Sequence, residues 1–244
     1  MKYLALEGSA VAASCALLED GRVLGEFFVN IPQTHSQTLL PMVEGLLRTC
    51  GTAPAALDFF AVTRGPGSFT GLRIAMAAVK GMAMAAGKPC VGVSTLEALA
   101  RNLTGFAGSA AAVMDARCGQ VYAGLFALKE GRVARYPFGE DAAITIEELR
   151  EQLDRMEKPV FLVGDGARLC YNRLSEGLAP GAPEEHGIRL APPHLLYQRA
   201  AAVGAAAWDA WERGEAVEAG ALVPAYLRLP QAERELKRKQ AAQG

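Results

Sequence analysis

Two short stretches, EDGRV at residues 19–23 and KEGRV at 129–133, occupy the same place in two similar patterns, and this near-repeat constrains the fold more than any other feature. Before each lies an apolar pair of strands: YLALE (3–7) and VAASCALL (11–18) in the first, AAAVMD (110–115) and QVYAGLFAL (120–128) in the second. An acid, Glu7 or Asp115, ends each first strand. Asp-Gly or Glu-Gly between two apolar runs signals a tight hairpin. After the first hairpin the pattern predicts a helix over 35–50 closed by Gly51, a strand over 57–62, a helix over 68–86, a strand over 90–93, and a helix capped by Ser94 running to Arg101. After the second it predicts a helix over 145–156, a strand over 159–163, and the turn Gly164-Asp165-Gly166 into another helix. The reading is a duplicated unit of strand, hairpin, helix, strand, helix, strand. Strands alternating with helices imply a mostly parallel sheet with an antiparallel hairpin edge, an α/β fold with a mixed sheet and flanking helices in each lobe. The segment 177–193, rich in Gly and Pro, reads as a loop, and 195–213 as a helix that returns to the first unit. The expected division is residues 1–104 plus 195–230 in one lobe, 105–194 in the other, and a charged, frayed tail at 231–244.

Composition narrows the function. Hydrophobic residues are 51% and charged residues 21% of the 244, which gives a packed core and excludes a disordered, collagen-like or coiled-coil chain. The net charge of −1 shows no strongly basic nucleic-acid surface, and 7% aromatics argue against a platform for stacking bases. The longest weakly polar stretch, 74–87, is interrupted by Lys80 and is short of the ~20 apolar residues of a spanning helix. The N-terminus carries no secretory pattern, and a cytoplasmic protein is expected. The five cysteines have no Cys-x-x-Cys spacing, so buried or idle thiols are expected rather than a disulfide framework or zinc site.

The strongest local motif is Arg64-Gly65-Pro66-Gly67-Ser68-Phe69-Thr70-Gly71, between a strand and a helix start. Exposed N–H groups there would suit a phosphate. No Gly-Lys-Ser/Thr follows, so it is not a P-loop. The competing reading is a tight turn with Ser68 as helix cap and glycines that admit close packing. Glu7 at its strand end reads as a solvated or capping acid. His35 opens a helix with Leu39 one turn on, where a second metal ligand would stand, so it reads as a cap or surface group. No metal and no cofactor are expected. Both early helices are apolar around more than one face. The first carries Leu39, Val43, Leu46 and Cys50, extended by Leu40, Met42 and Leu47; the second carries Leu72, Ile74, Ala75, Met76, Ala78, Val79, Met82 and Met84. Either both are sandwiched in the core or they offer a docking surface.

The stretches YLALEGS, HSQTLLPMVEGLL, TRGPGSFTGLRIAMAAVKGMA, GVSTLEALA, MDARCGQVYAGLF, LVGDGA and the late PAYLR resemble the bacterial TsaB (YeaZ) family. The resemblance covers nearly the whole chain except the charged tail. It implies an actin-like/ribonuclease-H-like fold of two related lobes and a non-catalytic role in forming N6-threonylcarbamoyladenosine at position 37 of tRNA. It implies docking on the transferase TsaD through the two early helices, which assigns Leu39, Leu40, Val43, Leu46, Leu47, Ala75, Ala78 and Met82 to the interface. It also implies that the ATPase TsaE joins that complex, that tRNA is met indirectly, and that the chain alone forms a homodimer by the same surface. The sequence departs from the family at Glu7-Gly8-Ser9, where Asp-Thr-Ser or Asp-Thr-Ala is usual. The alternatives are a stand-alone actin-like ATPase or kinase, which needs a fuller phosphate and metal constellation, a metallopeptidase, which needs more ligands than one histidine, and a module that binds tRNA directly.

Overall fold

The structure, a computed structural model, describes residues 1–176 and 182–228. The first repeat runs β1 (Lys2–Glu7), β2 (Ala13–Glu19), β3 (Arg22–Val29), α1 (His35–Thr49), β4 (Phe59–Gly65), α2 (Phe69–Ala86), β5 (Cys90–Ser94) and α3 (Thr95–Arg101). The second runs β6 (Gly108–Arg117), β7 (Gln120–Lys129), β8 (Arg132–Arg135), β9 (Ala142–Thr145), α4 (Ile146–Leu153), β10 (Val160–Val163), α5 (Ala167–Ser175), α6 (Ala182–Glu185), β11 (Ile188–Leu190) and α7 (Ala200–Glu212).

The sheets are ordered β3-β2-β1-β4-β5 and β8-β7-β6-β10-β11, one topology built twice, with β9 added beside β7. In both, the leading strand pairs antiparallel with its hairpin partner and parallel with the strand after the first helix. The hairpin turns match position by position: Asp20 and Gly21 at φ 49° and 78°, Glu130 and Gly131 at φ 51° and 72°. Positive φ at both central residues is the requirement of a two-residue turn that follows strand twist, and glycine meets it without strain. The sequence repeat is therefore a repeat of topology, in the two-lobed actin-like/ribonuclease-H-like architecture.

Period-two alternation sorts the first sheet into layers. Leu4 and Leu6 of β1 enter the core shared with α1 and α2, while Tyr3 and Ala5 enter the core shared with α7. Tyr3 stacks on Phe59 at 4.3 Å and Phe59 on Trp211 at 4.5 Å, which explains the two tryptophans of α7. Each repeat's closing helix crosses over. Leu96 and Leu99 of α3 lie in the core of the second sheet, and α7 packs on β1 and β2 of the first. Arg101 ties the two helices together, with Glu97 at 2.9 Å and Asp209 at 2.7 Å. The lobes are thus joined at their base by α3 and α7.

Four local expectations change. The segment expected to be a loop, 177–193, carries α6 and β11 within its described part, residues 182–193. The four residues of β9 were not foreseen, and α4 is shorter than expected, beginning after Thr145 in a reciprocal cap with Glu148. The helix expected from Leu195 begins at Ala200, because Pro192 and Pro193 start a single 3₁₀ turn first. The charged segment 231–244 lies outside the described residues.

Candidate functional site

The glycine-rich turn joins β4 to α2, and Ser68 caps α2 by accepting the Gly71 N–H. A Cβ on Gly65 would stand 2.2 Å from the Ala225 carbonyl oxygen, on Gly67 2.4 Å from that of Ser9, and on Gly71 2.2 Å from that of Gly8. Each glycine admits a carbonyl of another segment. Ser68 N–H in turn donates to Ser9 O at 2.6 Å, and Ala225 N–H to Arg64 O at 2.7 Å. The turn is thus a junction of three backbone segments, with carbonyl oxygens standing where side chains would otherwise be, and the close-packing reading accounts for its glycines. Phe69 stacks on Tyr226 at 4.8 Å under the Arg73 guanidinium, 3.8 Å above the Phe69 ring. Arg64 and Thr70 point to solvent.

The turn forms one wall of a cleft of about 490 Å³ between the lobes. Met114–Arg117, Tyr122 and Asp165 form the opposite wall, and residues 225–228 close a third side. Beneath it lies Glu7, fully buried rather than solvated as expected. Its Oε1 accepts the Ser9 N–H, so the capping part of the expectation holds, while Oε2 has no partner among the described residues. Burial pushes its pKa above the ordinary glutamate range, helped by the nearby charge of Asp165. Burial likewise raises Asp165, whose Oδ1 accepts from Gln198 Nε2 at 2.8 Å. Asp115 stays exposed and accepts the Arg117 N–H. Among the described residues no three His, Cys, Asp or Glu side chains converge as a metal site would need. All five cysteines are unpaired, and burial pushes the thiols of Cys15 and Cys170 up to about 12.

A pH test follows for Glu7. The folded state holds its proton more tightly than the unfolded chain does, so this group's share of stability falls as pH rises from the ordinary glutamate range toward neutrality. Glu7→Gln keeps an acceptor for Ser9 N–H and removes the titration. The variant is expected to be more stable than the parent at pH 7.5, by a margin that narrows as the pH falls. Thermal melts across that range measure it, and a gap independent of pH would show that Glu7 titrates normally.

His35 is also buried, at 8% exposure, not a surface group. Its Nε2 lies 2.7 Å from Ala10 O, and a carbonyl only accepts, so Nε2 carries the proton. The ring is a strut that pins the loop between β1 and β2. Leu39, one turn on, belongs to the core.

The two early helices divide the expected interface. Leu39, Val43, Leu46, Leu47 and Ala75 are sealed in their own lobe's core at 6% exposure or less and are not available to a partner. The four on α1 form the stripe at three- and four-residue spacing that an amphipathic helix turns toward its sheet. Leu40 is 52% exposed, and Ala78 and Met82 are half-buried. On length and composition α2 is apolar enough to cross a membrane, yet it lies on β4 with Leu72, Ala75, Met76, Val79 and Ala83 inward. Only 33% of it is buried; its uncovered side begins at Arg73 and continues through the small or apolar Ala77, Gly81, Met84 and Ala85, with Ile74, Ala78 and Met82 half-buried at the edge of the core. Residues 225–228, read only as part of the PAYLR match, prove to be cleft residues; no spacing signal marked them.

The family profile described as "TsaD: tRNA N6-adenosine threonylcarbamoyltransferase" matches residues 30–235, which with the duplicated topology defines a TsaD-like protein of the actin-like fold. Among its relatives, the tRNA threonylcarbamoyladenosine biosynthesis protein TsaB of Bacillus subtilis is 32% identical over 96% of either chain. The protein of the same name from Escherichia coli is 32% identical over 93% of this chain and 95% of its own. The solved structure of YeaZ from Pseudomonas aeruginosa is 35% identical and superposes with a TM-score of 0.73 over 93% of this chain and 99% of its own. The chain belongs to the TsaB (YeaZ) family.

Proposed function

We propose that this chain is an accessory subunit in tRNA threonylcarbamoyladenosine biosynthesis, docking a TsaD-type transferase that forms N6-threonylcarbamoyladenosine at position 37 of tRNA. The observation that carries the reading is the uncovered apolar side of α2 beside the exposed Leu40. Small residues at Ala77, Ala78 and Gly81 let a partner helix approach closely, and a contiguous apolar patch on a soluble protein marks an interaction site. The match of the TsaD profile to this chain makes the partner a structural sibling, so the contact pairs like with like. A second copy of the chain takes the same face when TsaD is absent. TsaE joins through the complex, and tRNA is met indirectly, in the cytoplasm.

The reaction is carried on the partner. The glycine-rich turn is filled by carbonyl oxygens and Glu7 is buried beneath Ser9, which supports a role without chemistry in this cleft. The chain acts by preferring the active arrangement of TsaD and raising its population. Leu40→Glu combined with Ala78→Glu is expected to abolish co-elution with TsaD and to cut tRNA modification in a reconstituted assay by at least ~10-fold, since each 1.4 kcal/mol of lost binding is tenfold. Co-elution undiminished by both changes overturns the docking face. Calorimetry with Mg-ATP on the isolated chain separates this reading from a stand-alone ATPase or kinase: micromolar binding with turnover favours the enzyme.

A further inference from the structure

We propose that residues 223–228 are a latch that holds the two lobes together at the mouth of the cleft and can release without unfolding either lobe. The chain reaches this point well anchored. After α7, Val217 and Cys90 exchange backbone hydrogen bonds of 2.8 Å, Ala219 and Leu222 are buried in the first lobe's core, and Lys80 Nζ donates to the carbonyls of Gly220 and Leu222. Beyond Leu222 the character changes: Val223 is 60% exposed, and Tyr226 and Leu227 are each 37% exposed.

This outer segment touches both lobes. On the first it lies against the glycine-rich turn, where Gly65 leaves room for the Ala225 carbonyl and Arg73 Nε donates to the Tyr226 hydroxyl at 3.1 Å. On the second, Arg228 Nη1 donates to the Ala116 carbonyl of β6 at 2.8 Å. Ala116 adjoins the left-handed turn at Arg117 and Cys118, φ 62° and 55°, so the guanidinium grips the rim of the far wall. At the base the lobes are joined by packed helices, at the mouth by this half-exposed set of hydrogen bonds with one aromatic stack, Tyr226 on Phe69. A segment with few buried apolar contacts opens at the low end of a protein's stability range. Its departure uncovers Gly65 and widens the cleft over Asp115 and Asp165.

Hydrogen exchange followed by mass spectrometry on the full chain tests this, comparing the parent with Arg228→Ala and with Tyr226→Ala/Arg228→Ala. Exchange at residues 115–119 and 64–71 is expected to rise ~10-fold or more in the double variant, with β1, β10 and α7 unchanged. Melting temperatures should stay within ~2 °C of the parent. Unchanged exchange at 115–119 overturns the latch, because Arg228 then holds nothing across the cleft. Acceleration throughout the first lobe also overturns it, because the segment is then part of that lobe's core.

Discussion

Gly71→Ala is expected to lower the melting temperature, by up to roughly 8 °C, although it replaces a glycine by the best helix former inside a helix. Gly71 lies in the first turn of α2, and its added Cβ would stand 2.2 Å from the Gly8 carbonyl oxygen and 3.0 Å from His35 Cδ2. Neither neighbour is free to retreat. Gly8 is itself packed against Ala75, His35 and Leu39, and His35 is held by its bond to Ala10. Overpacking of this kind costs about 1–3 kcal/mol, occasionally more, and the helix-propensity gain of about 1 kcal/mol offsets only part of it. Gly81 supplies the matched control. It lies in the same helix with nothing among the described residues within 4 Å of an added Cβ, so Gly81→Ala should raise the melting temperature. Differential scanning calorimetry of both variants decides the point. Shifts of the same sign would mean that the turn is not a backbone junction and that its glycines have another cause.

How far the sequence could be read depended on which force set each element. The hairpins were legible because Asp20-Gly21 and Glu130-Gly131 are local solutions to a local problem, and Ser94 and Thr145 cap their helices by contacts within three residues. The elements that were missed form through distant partners. β9, with sequence AAIT, has weak strand propensity and exists by pairing with β7, and the three residues of β11 exist by pairing with β10. The duplication itself called for a fifth strand there, and the Gly/Pro content of 177–193 masked it. The depth of Glu7 and His35 was hidden for the same reason: the lids over them are the segments around Gly67 and Ala10, remote in sequence. The interface set erred differently. Periodicity finds a helix's apolar stripe but not which side the sheet covers, so five core residues were grouped with the three that stay partly open.

That distinction yields a large expected effect. Val43→Glu is expected to leave no soluble, cooperatively melting protein, whereas Ala78→Glu should melt like the parent. Val43 is 4% exposed among Leu39, Leu46 and Leu47, inside the core between α1 and the first sheet. A carboxylate there would be buried without a partner at a cost of about 3–5 kcal/mol, with the lost packing added, against a total stability of about 5–15 kcal/mol. Ala78 is half-buried on the open side of α2, where a Glu side chain reaches water and surface changes stay within about 0.5 kcal/mol. The two variants therefore separate a residue that builds the lobe from one that faces outward. Expression yield and a thermal melt suffice to tell them apart. A well-folded Val43→Glu protein that had lost only its partner would mean that the α1 stripe faces solvent, and the packing of that helix on β2 would have to be abandoned.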